Sequence, residues 1–262
     1  MRVEVIIMDL YVKTYLVKEE QKRLFIVHGI CEHSGRYSEF AKKLNESKIS
    51  VITYDLRGHG KSPGKKGYIK NFTDHLEDLQ ALIEKYYQKD VENILLGHSM
   101  GALIGHLYLL DNPKVSRYIS SGAPTDFLPQ VKLFKYLPYQ PLGFIKLKNN
   151  FANGTLSNDK KVEEDYENDP LVLKKYYLKL AGEMFVRGVK YFQKNINKQQ
   201  TTTLFLHGEE DKIVPKEMSE NSFRKLNNPH NKLIIYPKMQ HEILNEIEKE
   251  KVIADIVGWI YG

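Results

Sequence analysis

Gly97-His98-Ser99-Met100-Gly101 is the segment of this chain best suited to covalent chemistry. A serine with glycine two residues to either side fits a tight strand-to-helix turn, where larger side chains clash and the hydroxyl stands clear. The spacing alone is only suggestive, and its surroundings carry the reading. Asn93-Ile94-Leu95-Leu96 reads as a strand entering the turn, and Ala102–Leu110 as a helix leaving it. A serine hydroxyl is a weak nucleophile and needs a base that a third group holds in place. Asp211 follows the apolar run Leu204-Phe205-Leu206, and His241 follows Leu233–Tyr236 in the last loop before a terminal helix. Both fall at strand ends, in the chain order serine, acid, histidine. Read blandly, Asp211 is a surface acid and His241 a loop histidine; all three residues falling into place together argues against that.

Acyl transfer also needs N–H donors for the oxyanion. The backbone amide of Met100, one residue past the serine, is expected to supply one. The amide of Ile30, in the turn Val27-His28-Gly29-Ile30, is expected to supply the second. Cys31 lies beside that turn, so bulky thiol reagents are expected to inhibit, although the thiol itself has no catalytic role. His98 is expected to point away from the serine as a packed, hydrogen-bonded residue.

The elements that must position these groups alternate. Val3–Met8 and Tyr11–Val17 suggest an antiparallel hairpin. Leu24–Val27, Val51–Tyr54, Ile94–Leu96, Tyr118–Ser120, Leu204–Leu206 and Leu233–Tyr236 are brief apolar runs, as in strands covered on both faces. Helical patterns separate them: Phe72 to Tyr86, capped by Asn71 or Thr73, then Ser99–Leu110 and Val252–Ile260. The alternation predicts an α/β fold, a mostly parallel eight-stranded sheet with helices on both faces, which binds ligands beyond the carboxyl ends of its strands. Residues 1–123 and 194–262 form the core, and residues 124–193 break the rhythm with Pro129, Pro138 and Pro141, as an inserted helical cap or lid would.

Composition excludes more than it assigns. With 42% hydrophobic and 27% charged residues the chain can bury an ordinary core. No apolar run is long enough to span a bilayer, and the N-terminus reads as a strand rather than a signal peptide. The single cysteine permits no internal disulfide, so a cytoplasmic location is expected. The net charge of +6 comes from dispersed lysines, which suits a solvated surface and not a nucleic-acid partner. No H-x-x-x-H, C-x-x-C, P-loop or G-x-G-x-x-G pattern occurs, so neither a metal nor an organic cofactor is expected.

His28-Gly29-Ile30-Cys31-Glu32-His33-Ser34-Gly35-Arg36-Tyr37 resembles the H-G-x-x-E-H-x-x-R-Y segment of monoacylglycerol lipases and related lysophospholipases. Tyr54 to Ser62, the serine turn, and His207 to Pro215 also resemble that family, as do Leu156-Ser157-Asn158-Asp159 and Tyr166 to Val172 in patches. Ala102 departs from it where many relatives carry a glycine. The resemblance implies an α/β-hydrolase fold and cofactor-free hydrolysis of single-chain acylglycerols to fatty acid and glycerol through an acyl-enzyme. Lysophospholipase or general carboxylesterase activity is the alternative within the class. An acyltransferase shares every motif, and a catalytically silent lipid carrier is disfavoured by the intact triad. Glu32 and Arg36 are candidates for the head-group region, or else a structural ion pair. Phe127, Val131 and Phe134 form an apolar stripe flanked by Lys132 and Lys135, expected to line an acyl tunnel or to touch a membrane or micelle surface.

Overall fold

The computed structural model describes residues 9–111 and 113–262. Seven strands form the main sheet: β1 (Val12–Tyr15), β2 (Lys22–Val27), β3 (Ile49–Tyr54), β4 (Glu92–His98), β5 (Arg117–Ser121), β8 (Thr202–Gly208) and β9 (Lys232–Tyr236), in the order β1-β3-β2-β4-β5-β8-β9. Among the described strands of this sheet only β1 runs antiparallel, pairing with β3. Val3–Met8, the expected eighth strand, lies outside the described residues. Strands β2 to β5 are almost wholly buried, which is why they read as unbroken apolar runs.

Helices cover both faces: α1 (Ser38–Glu46) and α8 (Lys249–Tyr261) on one, α2 (Thr73–Tyr86) and α3 (Met100–Tyr108) on the other, with α7 (Glu217–Leu226) packing beside β8 and β9. Two apolar clusters result. One joins Phe25, Ile52, Leu95 and Tyr118 to α2 and α3, and the other joins Leu24, Ile94, Ile119 and Leu206 to α1 and α8. The expected cap at Asn71 or Thr73 is absent. The N-cap residue is Phe72 with no side-chain cap bond, and the carboxylate of Glu183 accepts from its amide at 3.1 Å. The remote acid serves the helix end instead.

Between β5 and β8 the chain leaves the sheet. This excursion holds a 3₁₀ turn (Pro129–Lys135), another (Gln140–Leu142), a small antiparallel pair β6 (Lys146–Lys148) and β7 (Lys175–Tyr177), and α4 (Lys160–Asn168). A continuous helical stretch then returns: α5 (Leu178–Gly182), a π turn (Glu183–Gly188) and α6 (Val189–Asn195). Among the described residues no helix is long and apolar enough to cross a membrane.

Candidate active site

Ser99 sits between β4 and α3 at φ 53°, ψ −121°, a conformation rare for a side chain larger than glycine. The two glycines make that turn physically possible. A Cβ on Gly101 would run into the carbonyl oxygens of Val27 and His28, and one on Gly97 would meet the backbone of Gly101 and Ala102. The strand therefore hands the chain to the helix at the closest approach the backbone allows, with Ser99 at the apex.

Asp211 follows β8 and His241 follows β9, at the same sheet edge. His241 Nδ1 lies 2.6 Å from Asp211 Oδ2. The other carboxylate oxygen accepts from the amides of Ile213 (2.8 Å) and Val214 (2.9 Å). A second histidine joins them. His207 Nε2 is 3.0 Å from Asp211 Oδ2 and 2.8 Å from the Val214 carbonyl, while its Nδ1 meets Ser219 Oγ at 2.7 Å. Burial alone would raise the Asp211 pKa, but His241 and the donors around it hold the carboxyl well below its usual range. Burial pulls His241 down; the adjacent Asp211 charge outweighs this and raises it above 6.5. Gly122, at φ 58°, leaves room for the pair, since a Cβ there would approach the His241 ring to 3.2 Å. Among the described residues no hydrogen bond joins Ser99 Oγ to His241, although both line one cavity; such contacts commonly tighten only with substrate bound.

Ile30, whose amide is the first expected oxyanion donor, lines this cavity, and Met100, which carries the second, is buried directly after Ser99. Among the described residues, neither the Ile30 nor the Met100 amide donates to a protein acceptor. His28, which sequence reasoning passed over, orients the first. Its Nε2 accepts from the Leu56 amide at 2.9 Å, so Nδ1 carries the hydrogen and donates to the Gly29 carbonyl at 2.8 Å. In a planar trans peptide the N–H opposes the C=O, so fixing that carbonyl aims the Ile30 amide the other way. Burial holds His28 neutral, with its pKa lowered to about 4. The histidine immediately before Gly29 was the available signal.

The cavity measures about 20 Å³. One wall is polar: Glu32, Glu242, His98 and His241. The other is apolar: Ile30, Phe151, Leu156, Tyr166 and Ile213. Glu32 accepts from the Gly29 amide (2.5 Å) and Tyr37 Oη (2.8 Å). Arg36 does not line the cavity. Its guanidinium pairs with both oxygens of Glu242, reaches Glu32 at 3.2 Å, and lies 4.8 Å over the Tyr166 ring. Burial would raise the Glu242 pKa, but Arg36 lowers it to about 2. His98 stands closer to the chemistry than expected: its ring lies 4.8 Å from that of His241, and burial followed by the His241 charge lowers its pKa to about 4.

Phe127, Val131 and Phe134 line a different region. Val131 is buried, and the two phenylalanines pack half-buried against the core cluster containing Tyr139, Leu180 and Met184. The physical reason is the pitch. A 3₁₀ turn repeats every three residues, so Leu128, Val131 and Phe134 share its inner face, while Leu133 and Leu137 point outward. Phe151, Leu156 and Tyr166 stand in the apolar wall of the cavity beside Ser99. The latter two lie in the patches 156–159 and 166–172, whose resemblance was visible; Phe151 carried no such mark. Cys31 is wholly buried, and burial with the neighbouring Glu32 charge pushes its thiol pKa far up, so the expected attack by thiol reagents does not suit this position.

A doubly covered parallel sheet, a strained serine between strand and helix, and an acid–histidine pair at the ends of later strands define a serine hydrolase of the α/β-hydrolase class. Residues 18–248 match the family described as serine aminopeptidase, S33, and the chain belongs to that family. It is 27% identical over 251 residues to a monoacylglycerol lipase from Mycolicibacterium smegmatis, covering 90% of this chain and 86% of the relative. The phospholipase YtpA of Bacillus subtilis is 26% identical, over 87% of this chain and 91% of its own. The crystal structure of a monoacylglycerol lipase from Paleococcus ferrophilus superimposes with a TM-score of 0.87 at 28% identity, covering 97% and 98% of the two chains.

Proposed function

We propose that this chain hydrolyses monoacylglycerol to fatty acid and glycerol, with Ser99 as nucleophile, His241 as general base and acid, and Asp211 as the group that orients it. The observation that carries the reading is one cavity lined by Ser99, by His241 with Asp211 2.6 Å behind it, and by Ile30, whose amide has no protein acceptor among the described residues. Ser99 Oγ attacks the ester carbonyl as its proton passes to His241 Nε2, and the oxyanion is taken up by the amides of Ile30 and Met100. His241 then returns the proton to the departing glycerol oxygen, and water repeats the cycle on the acyl-enzyme.

Residues 124–193 act as the cap, contributing Phe151, Leu156 and Tyr166 to the acyl side of the cavity. At about 20 Å³ the cavity admits roughly one water, so these side chains must shift to admit an acyl chain. The polar side favours a neutral head group. A lysolipid phosphate would sit beside Glu32 and Glu242, whose shared cation Arg36 both already bind, whereas glycerol hydroxyls can donate to those carboxylates.

The cap also carries the means of reaching lipid. Tyr136 is 79% and Phe144 73% exposed, with Leu133, Leu137 and Leu142 also exposed and Lys132, Lys135 and Lys146 among them. Such a face suits transient contact with a membrane or micelle from the cytoplasmic side. A product assay over monoacylglycerols, lysophospholipids, short esters and an aminoacyl amide tests the assignment. Preferred turnover of lysophospholipid or of the amide would overturn it.

A further inference from the structure

The oxyanion turn is gripped on both sides of Ile30. On one side the Gly29 amide donates to Glu32 and the Gly29 carbonyl accepts from His28. On the other, Cys31 stands at φ 66°, a left-handed conformation disfavoured for a residue with a Cβ. Its partner here is the cap. The Cys31 carbonyl accepts from the Leu173 amide at 2.8 Å. Two residues further on, His33 Nε2 meets Asp169 Oδ2 at 2.9 Å, across a sequence separation of 136. His33 Nδ1 accepts from the Gly35 amide at 3.1 Å, so Nε2 carries the hydrogen given to Asp169. Asp169 is itself fixed, because its other oxygen accepts from the Leu171 amide at 2.7 Å.

We infer that residues 169–173 of the cap clamp the oxyanion turn, keeping Cys31 left-handed and thereby aiming the Ile30 amide at the reacting carbonyl. Asp169 and His33 are positioning residues in this account, which rests on the esterase reading above; neither lines the cavity. Seating of the cap and readiness of the oxyanion hole then become one event. When the cap lifts, the Cys31 carbonyl loses its partner, the strained residue relaxes, and the Ile30 amide turns away until the cap returns.

The test uses p-nitrophenyl acetate, whose acyl group is too short to need the cap for binding. Asp169→Ala and His33→Leu should each lower kcat about tenfold with KM changed less than about twofold, because misaiming one oxyanion donor costs part of the roughly hundredfold or more that its removal would. His33→Gln, whose amide N–H can replace Nε2–H, should keep most of the rate. Glycine tolerates φ 66° without the clamp, so Cys31→Gly combined with Asp169→Ala should return to within about threefold of Cys31→Gly alone. Wild-type kcat in a folded Asp169→Ala protein would overturn the clamp, as would a loss that Cys31→Gly leaves unrepaired. Should Asp169→Ala fail to fold, His33→Leu carries the same comparison. Fluorophosphonate labelling of the wild type, absent in Ser99→Ala, reads the esterase assignment separately. An unlabelled wild type sinks that assignment, while a labelled one with an unaffected Asp169→Ala sinks only the clamp.

Discussion

Replacing Asp211 by Asn should be more damaging than replacing it by Ala, and the hydrogen bonds around the carboxylate say why. Oδ1 accepts two backbone amides at 2.8 and 2.9 Å, so the asparagine oxygen must occupy that site. Its NH₂ group then faces His241 Nδ1 and His207 Nε2, which lie 2.6 and 3.0 Å from Oδ2. Two donors cannot share that line, so His241 must accept at Nδ1 and move its hydrogen to Nε2, where it points at Ser99 and can no longer take the serine proton. Loss of the correct tautomer is worth about four orders of magnitude in kcat, or roughly 5 kcal/mol of barrier. Alanine instead leaves space for water, which accepts from Nδ1–H and preserves the tautomer, so about a hundredfold more rate should survive than with asparagine. The assay is kcat/KM for p-nitrophenyl butyrate between pH 6 and 9, with circular dichroism to confirm folding. Asn more active than Ala, or a loss smaller than about tenfold, would refute the assigned acid.

The charge on Asp211 raises the His241 pKa above 6.5, so kcat/KM should rise with pH along an acid limb centred above 6.5; a rate flat from pH 5 to 9 would count against it. For stability, the charged His241–Asp211 pair contributes fully below pH 6.5, and that contribution is lost as pH climbs through the raised His241 value, which pH-dependent melting would register. Cys31 should remain unmodified by maleimides in the folded protein with activity intact, and react once guanidinium unfolds it, as read by mass spectrometry. Phe134→Asp places an ion beside Tyr139 and the core, so it should cost about 2 kcal/mol of stability and affect short and long esters alike. Phe144→Asp changes an exposed ring and should weaken binding to vesicles and turnover of dispersed monoacylglycerol, while p-nitrophenyl acetate hydrolysis stays unchanged; equal losses on both substrates would contradict a lipid-facing role.

Strands covered on both faces announce themselves as unbroken apolar runs, so β2, β3, β4, β5 and β8 were all legible, and half-buried β9 still carries the apolar run Leu233–Tyr236; the place of Ser99, Asp211 and His241 at strand ends was legible with them. Helix α7 was not, because its buried face is Met218, Ser219 and Ser222, which gives apolar periodicity nothing to register. The excursion misled for a different reason. Residues 127–137 have a spacing that a 3.6-residue helix would turn into one continuous face, and the tighter 3₁₀ pitch splits them between the core and solvent. Glu32 and Arg36 were recognisable as a pair, but the partner that removes Arg36 from the cavity is Glu242, 206 residues away. No local pattern encodes that distance.

Nine histidines stand in the sequence, and hydrogen-bond accounting narrows the base among those nearest Ser99. His28 has both ring nitrogens engaged, by Leu56 and Gly29, and burial keeps it neutral. His207 is engaged on both sides as well, by Ser219 and by Val214 with Asp211. His98 borders the cavity, but its charged form would face His241 with burial already against it, and its pKa falls to about 4. Only His241 combines a carboxylate on Nδ1, an Nε2 without a protein partner among the described residues, and a pKa moved upward. A base must be neutral at rest and able to hold a proton for an instant beside the developing oxyanion. Burial keeps His28 and His98 neutral and denies them a charge, whereas Asp211 lets His241 hold one. The motif spacing and the electrostatics therefore select the same residue by independent routes, the first through chain order and the second through which ring can afford a charge.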